Sequence, residues 1–142
     1  MKMGYGSVKN IFLAAITLIV LGCGCETNRS VNVIVPRAED GGAGISATEG
    51  LHWFRDIASQ CNLDVSGPHI LSDELSEYYA GLSTEPSLIL WLYPKKIEFE
   101  VSFYGTAKEA PKARETAKSF TDKLNERQIP YKVREWVAIP PP

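Results

Sequence analysis

Hydrophobic residues follow different rhythms in successive parts of the chain, and each rhythm predicts an element. Residues 11–21 are apolar apart from Thr17. Farther on, Val31-Asn32-Val33-Ile34-Val35 is rich in β-branched side chains that suit a pleated strand, and Pro36, which has no N–H for a ladder, stops it. The glycine-rich stretch from Glu39 to Gly44 predicts a loop. Ser46-Ala47-Thr48-Glu49 has the form of a capping box, and Leu51, Phe54, Ala58 and Cys61 recur behind it at helical spacing, predicting a helix over about 47–61.

Residues 62–70 include Gly67-Pro68 and read as a loop. Leu71, Leu75, Tyr78 and Leu82 return to a helical stripe, with Ser72 placed to cap its start and Gly81 to end it in the left-handed region, which predicts a short extra helix. Leu88 to Tyr93 is apolar on both faces and suits a buried strand. Pro94-Lys95-Lys96 turns the chain, and Ile97, Phe99, Val101 and Phe103 then alternate with Glu98, Glu100, Ser102 and Tyr104, completing a hairpin. Over 107–128 the positions Ala110, Ala113, Ala117, Phe120 and Leu124 step by three and four, giving a helix with one apolar stripe and a first firm turn at Pro111. Pro130 ends it, Tyr131 to Val137 reads as a last strand, and residues 139–142 form a frayed, disordered tail.

The predicted order is strand, helix, short helix, hairpin, helix, strand. This is the α+β arrangement βαββαβ of ferredoxin-like, split β-α-β domains, in which two helices cover one face of a four-stranded antiparallel sheet. Residues 31–138 form its single domain. One element fits poorly: the strand over 88–93, expected at an edge, is more apolar than the strand over 97–104, expected inside.

The opening run has a different meaning. Residues 1–10 carry Lys2 and Lys9 without an acid and precede the apolar stretch, the layout of an export signal. Eleven helical residues rise about 16 Å, roughly half the hydrocarbon thickness of a bilayer, so the stretch is short for a span. It ends in Val20-Leu21-Gly22-Cys23, which resembles the lipobox of bacterial lipoproteins, although Leu21 stands where a smaller residue is more usual. The resemblance covers this segment alone. It implies thioether lipidation of Cys23, cleavage after residue 22, acylation of the new amino terminus, and a tether over 23–30. With Gly24 rather than Asp after the cysteine, it also implies the periplasmic leaflet of an outer membrane, where the organism has one.

Charge changes the picture little. The net charge is −2, and loss of Lys2 and Lys9 with the signal leaves −4. Residues 39–94 hold nine acids and Arg55 alone among bases, whereas residues 95–142 hold ten bases and seven acids. Two oppositely charged halves attract within one domain, and no dense basic stripe suits nucleic acid.

Candidate chemistry is sparse. His52 and Asp56 are four apart on the first helix, in line with Ser59, the minimum for an imidazole oriented by a carboxylate, and they are the basis of a small envelope hydrolase as the alternative function. His69, Cys61, Asp64 and His52 lack the paired spacing of a closed zinc site, so neither a metal nor a cofactor is expected. Cys61 lies on an apolar stripe and is expected to be buried, or to pair with Cys25 in an oxidising compartment. Gly41-Gly42-Ala43-Gly44 before a helix is a loose version of an anion cradle, and Glu39, Asp40 and Glu49 would repel phosphate there.

Strand alternation supplies the larger feature. It sets Ile89, Trp91 and Tyr93, then Glu98, Glu100 and Tyr104, then Lys132, Arg134 and Trp136 on the sheet face away from the helices. An aromatic face edged with charge suits contact with an envelope protein or a small ligand. Residues 62–86 are equally able to fold across it and bury the rings. The leading expectation is a non-enzymatic, lipid-anchored binding module.

Overall fold

A computed structural model describes residues 26–39, 42–81 and 86–138. The expected signal peptide, Cys23, Cys25, Leu82 and the tail from 139 lie outside the described residues. The elements run β1 (Thr27–Pro36), α1 (Ala47–Gln60), β2 (Val65–Ser72), β3 (Leu75–Ala80), β4 (Ser87–Leu92), β5 (Lys96–Gly105), α2 (Ala110–Glu126) and β6 (Lys132–Val137), with a single 3-10 turn at Ala107–Glu109 before α2.

Local chemistry accounts for the helix boundaries. Ser46 caps α1, its hydroxyl accepting the Glu49 N–H at 3.1 Å, while the Glu49 carboxylate pairs with Arg127 instead of closing the capping box. Both helices end alike. Asn62 and Gln128 take left-handed φ values of 57° and 56°, and the next residues, Leu63 and Ile129, donate back to Ala58 and Leu124 at 2.9 Å. That is a Schellman ending, in which an apolar residue past the helix folds onto it. Between β1 and α1 the chain doubles back so closely that a side chain at Gly44 would meet the Pro36 carbonyl oxygen at 2.2 Å, so only glycine fits there.

All strand pairs are antiparallel, in the order β2-β3-β4-β5-β1-β6. This overturns the four-stranded, ferredoxin-like expectation: the sheet has six strands. The short helix expected over 71–82 does not exist, because residues 65–80 form a hairpin that pairs through β3 with the outer edge of β4. The helical stripe was ambiguous, since Tyr78 and Ala80 also alternate with Glu77 and Tyr79, and two tyrosines favour a strand. The open edge of β4 offered backbone partners along its length, which a one- or two-turn helix would have left unused. The same pairing makes β4 an interior strand rather than the edge strand expected, with Leu88 and Leu90 buried on the helix side and Ile89 and Trp91 half-buried on the other.

Both helices lie on one face. α1 packs on β4 and β5, and α2 packs on β5 and β1. Phe54 and Ile57 of α1 and Ala113, Ala117, Phe120 and Leu124 of α2 meet Val31, Val33, Val35, Leu88, Leu90, Ile97, Phe99 and Val101, all buried. Phe99 and Phe120 stack with centroids 4.3 Å apart. The acidic and basic halves meet at the rim of this layer, through Glu49–Arg127 and a 3.6 Å Asp56–Lys123 pair. Exposed pairs of this kind contribute little each, so the apolar layer supplies the stability.

Candidate interaction face

Because strand residues alternate, the valines of β1 that feed the core force Ser30, Asn32 and Ile34 to the other face. Register then aligns rows across the strands. One row runs Lys132, Ile34, Glu98, Trp91, Glu77, His69; the next runs Arg134, Asn32, Glu100, Ile89, Tyr79, Ser66. A third holds Trp136, Ser30, Ser102 and Ser87, and Tyr104 stands opposite Asn28 beyond it. Residues 65–80 extend the sheet sideways, and both helices pack on the opposite face. Residues 65–80, which the sequence could equally have folded across this face, pair into the sheet at the edge of β4 instead.

The centre of the face is acidic and hydrogen-bonded. Glu98 and Glu100 are only 7% and 8% exposed. Trp91 Nε1–H donates to Glu100 Oε2 at 2.7 Å, Lys96 Nζ donates to Glu98 Oε1 at 2.8 Å, and Asn32 Nδ2 reaches Glu98 Oε2 at 3.4 Å while its Oδ1 accepts from Ser30 at 2.8 Å. Lys96 also lies 4.5 Å above the Tyr93 ring. Burial pushes the Glu100 carboxyl above its ordinary range, and repulsion from Glu98 and Glu77 adds to this, against the opposing effects of Trp91 and Asn32. Burial likewise raises the Tyr93 hydroxyl, with Glu98 and Glu100 reinforcing it. Two strands away, Lys132 and Arg134 are exposed in the same rows as Glu98 and Glu100. The face is therefore acidic and aromatic on one side of β1 and basic on the other.

Exposure differs sharply among the aromatic residues expected there. Tyr104 is 66% exposed and Trp136 42%, whereas Trp91 and Tyr93 are half-buried. Asn32, Glu77, Tyr79 and Lys96 join the face without having been singled out by sequence. Asn32 was detectable as a polar residue amid valines. Glu77 and Tyr79 were hidden by reading 71–82 as a helix.

The other candidates do not assemble. His52, Asp56 and Ser59 lie on the exposed face of α1, and Asp56 pairs with Lys123. His69 sits on β2 with its Nε2 3.4 Å from Ser66 Oγ. Among the described residues no three His, Cys, Asp or Glu side chains gather as a metal site. Cys61, expected to be buried, is an exposed free thiol at the end of α1, because the apolar stripe turns away at the helix's last turn. At the start of α1, where Glu39 was expected to repel phosphate, its carboxylate accepts from the Ala47 N–H at 3.2 Å and from Arg37 Nε at 2.6 Å. Those bonds, Arg37 foremost, lower the Glu39 carboxyl below its usual range. Compared with known proteins, the chain matches no family model and no curated protein sequence.

Proposed function

We propose that the chain is a lipid-anchored bacterial envelope protein whose sheet face opposite the helices is a recognition surface for another envelope component or a small ligand. The anchor rests on the order of basic residues, short apolar stretch and Val20-Leu21-Gly22-Cys23. The observation that carries the recognition role is the sheet face opposite the two helices, which bears Trp91, Tyr93, Tyr104 and Trp136 with Lys132 and Arg134 exposed at its rim. A sheet with one bare face normally presents plain polar residues to water; large aromatic residues beside fixed charges are the composition of contact surfaces. The hydrolase alternative loses its basis, since His52 and Asp56 occupy an exposed helix face and Asp56 is paired with Lys123.

Two measurements test the parts separately. Mass spectrometry of the mature amino terminus finds acylated Cys23, and Cys23→Ser leaves an unprocessed precursor or a released chain; an unmodified Cys23 refutes the anchor. For recognition, a photo-cross-linking amino acid at Lys132 yields a discrete adduct in native membranes, while the same group at Glu115 on the outer face of α2 does not. Adducts from position 115 alone refute the recognition face.

A further inference from the structure

The two most exposed aromatic residues on the open face are next to the place where the chain enters the sheet. Tyr104 pairs across from Asn28 and Trp136 from Ser30, the second and fourth residues of β1. This entry point is held on both sides. Thr27 Oγ1 donates to the Ala138 carbonyl at 2.7 Å, the Ala138 N–H to Asn28 at 2.8 Å, and Arg29 Nε to the Gly105 carbonyl at 3.1 Å. Strand β1 thus begins at Thr27, four residues before the expected strand start, and shortens the expected 23–30 tether. Four steps of even a fully extended chain cover roughly 14 Å, so lipid on Cys23 would hold Thr27 within that distance of its attachment point.

The far end of β1, at Pro36, is about 30 Å away along the strand. A domain anchored so closely has three ways to meet the bilayer: open face down, helix face down, or on end. Charge favours neither face: the open face sets Lys96, Lys132 and Arg134 beside Glu77, Glu98 and Glu100, and α2 sets Lys112, Lys118 and Lys123 beside Glu115, Asp122 and Glu126, whereas the most exposed rings, Tyr104 and Trp136, lie at the tethered end. The near end offers Tyr104, Trp136, Thr27 and Lys108, with Glu26, Asp64 and Glu109 among its acids, and Glu109 accepts a bond from the Thr106 hydroxyl at 2.9 Å. Tryptophan and tyrosine favour the headgroup zone, where an apolar ring and a polar N–H or O–H are both accommodated.

We infer that the Tyr104–Trp136 end of the sheet rests in the headgroup layer of the membrane that holds the anchor, standing the strands upright. This rests on the lipid anchor proposed above and assigns these two rings to lipid. Trp91, Tyr93, Lys132 and Arg134, one to three rows farther along the strands, are then directed toward a partner away from the bilayer. Two exposed rings alone do not hold a protein on a membrane; tethered by lipid, they set its orientation.

The test uses the full, processed chain reconstituted into phosphatidylethanolamine–phosphatidylglycerol vesicles whose acyl chains are brominated just below the headgroup. Bromine quenches tryptophan at short range, and the chain has three tryptophans, of which Trp53 is buried beneath the helices. Emission from the wild-type protein is expected to fall relative to unbrominated vesicles, and Trp136→Phe, at an exposed position, to lose most of that quenching. Mass spectrometry on the same sample reads the state of Cys23. A lipidated chain with no quenching, or with quenching that Trp136→Phe leaves unchanged, overturns the orientation and leaves the anchor standing. An unlipidated Cys23 overturns both.

Discussion

The hydrogen bond from Trp91 to Glu100 is the most consequential polar contact on the open face, and replacing Trp91 by Phe isolates it. Phenylalanine keeps most of the ring and loses the N–H that donates to Glu100 Oε2 at 2.7 Å. Glu100 is 8% exposed and has two carboxylates, Glu98 and Glu77, as unfavourable neighbours. Hydrogen bonds to charged groups contribute about 1.5–3 kcal/mol; with Trp91 only half-buried, the expected cost is about 1–2 kcal/mol at pH 7. The cost depends on pH in a definite direction. Burial and repulsion raise the folded-state pKa of Glu100, so its ionisation weakens the fold as pH rises through that value, and the penalty is absent below the ordinary carboxylate range. The Trp91 N–H opposes that rise. Removing it enlarges the penalty, so Trp91→Phe costs more at pH 7 than at pH 4, where a protonated Glu100 loses only a neutral bond of about 0.5–1 kcal/mol. Urea unfolding followed by circular dichroism at both pH values, with Glu100→Gln and the double variant, completes a cycle. Equal costs at the two pH values, or an unchanged Trp91→Phe cost in the Glu100→Gln background, would refute this account.

Other substitutions sample the remaining features. Trp136→Ala is expected to cost under about 1 kcal/mol by the same urea assay, because the ring is 42% exposed; a larger loss would mean that the ring is covered. Phe120→Ala removes a buried ring stacked on Phe99 and is expected to cost about 3–5 kcal/mol, read as a collapse of the thermal transition. Gln128→Gly relieves a left-handed residue at the end of α2 and should stabilise by about 0.5–1 kcal/mol in differential scanning calorimetry, whereas Gln128→Val should destabilise.

Elements governed by local chemistry could be read from sequence. Ser46 and its Glu49 neighbour mark the start of α1, the three- and four-residue steps from Ala110 to Leu124 define α2, and strict alternation from Ile97 to Tyr104 defines β5. Each signal reports side chains within one element, where spacing alone decides which face they share. The same alternation placed Trp91, Tyr93, Tyr104, Lys132, Arg134 and Trp136 on one face, because it needs no knowledge of which strands are neighbours.

Pairing between distant segments was decided by the tertiary structure. Residues 71–82 satisfy a helical and a strand pattern about equally, and the free edge of β4 settles the matter by offering hydrogen bonds that a helix cannot use. From that one choice follow the six-stranded sheet, the interior position of β4 and the addition of Glu77 and Tyr79 to the second face. The burial of Glu98 and Glu100 is likewise tertiary: as a pattern they are the polar half of an amphipathic strand, and only their place in the folded sheet takes them out of water and raises Glu100. The apolar stretch before Cys23 belongs to the opposite case. The proposal of export and lipid attachment rests on residue order alone, whereas the proposed orientation at the bilayer rests on where β1 begins and on the strands that hold it there.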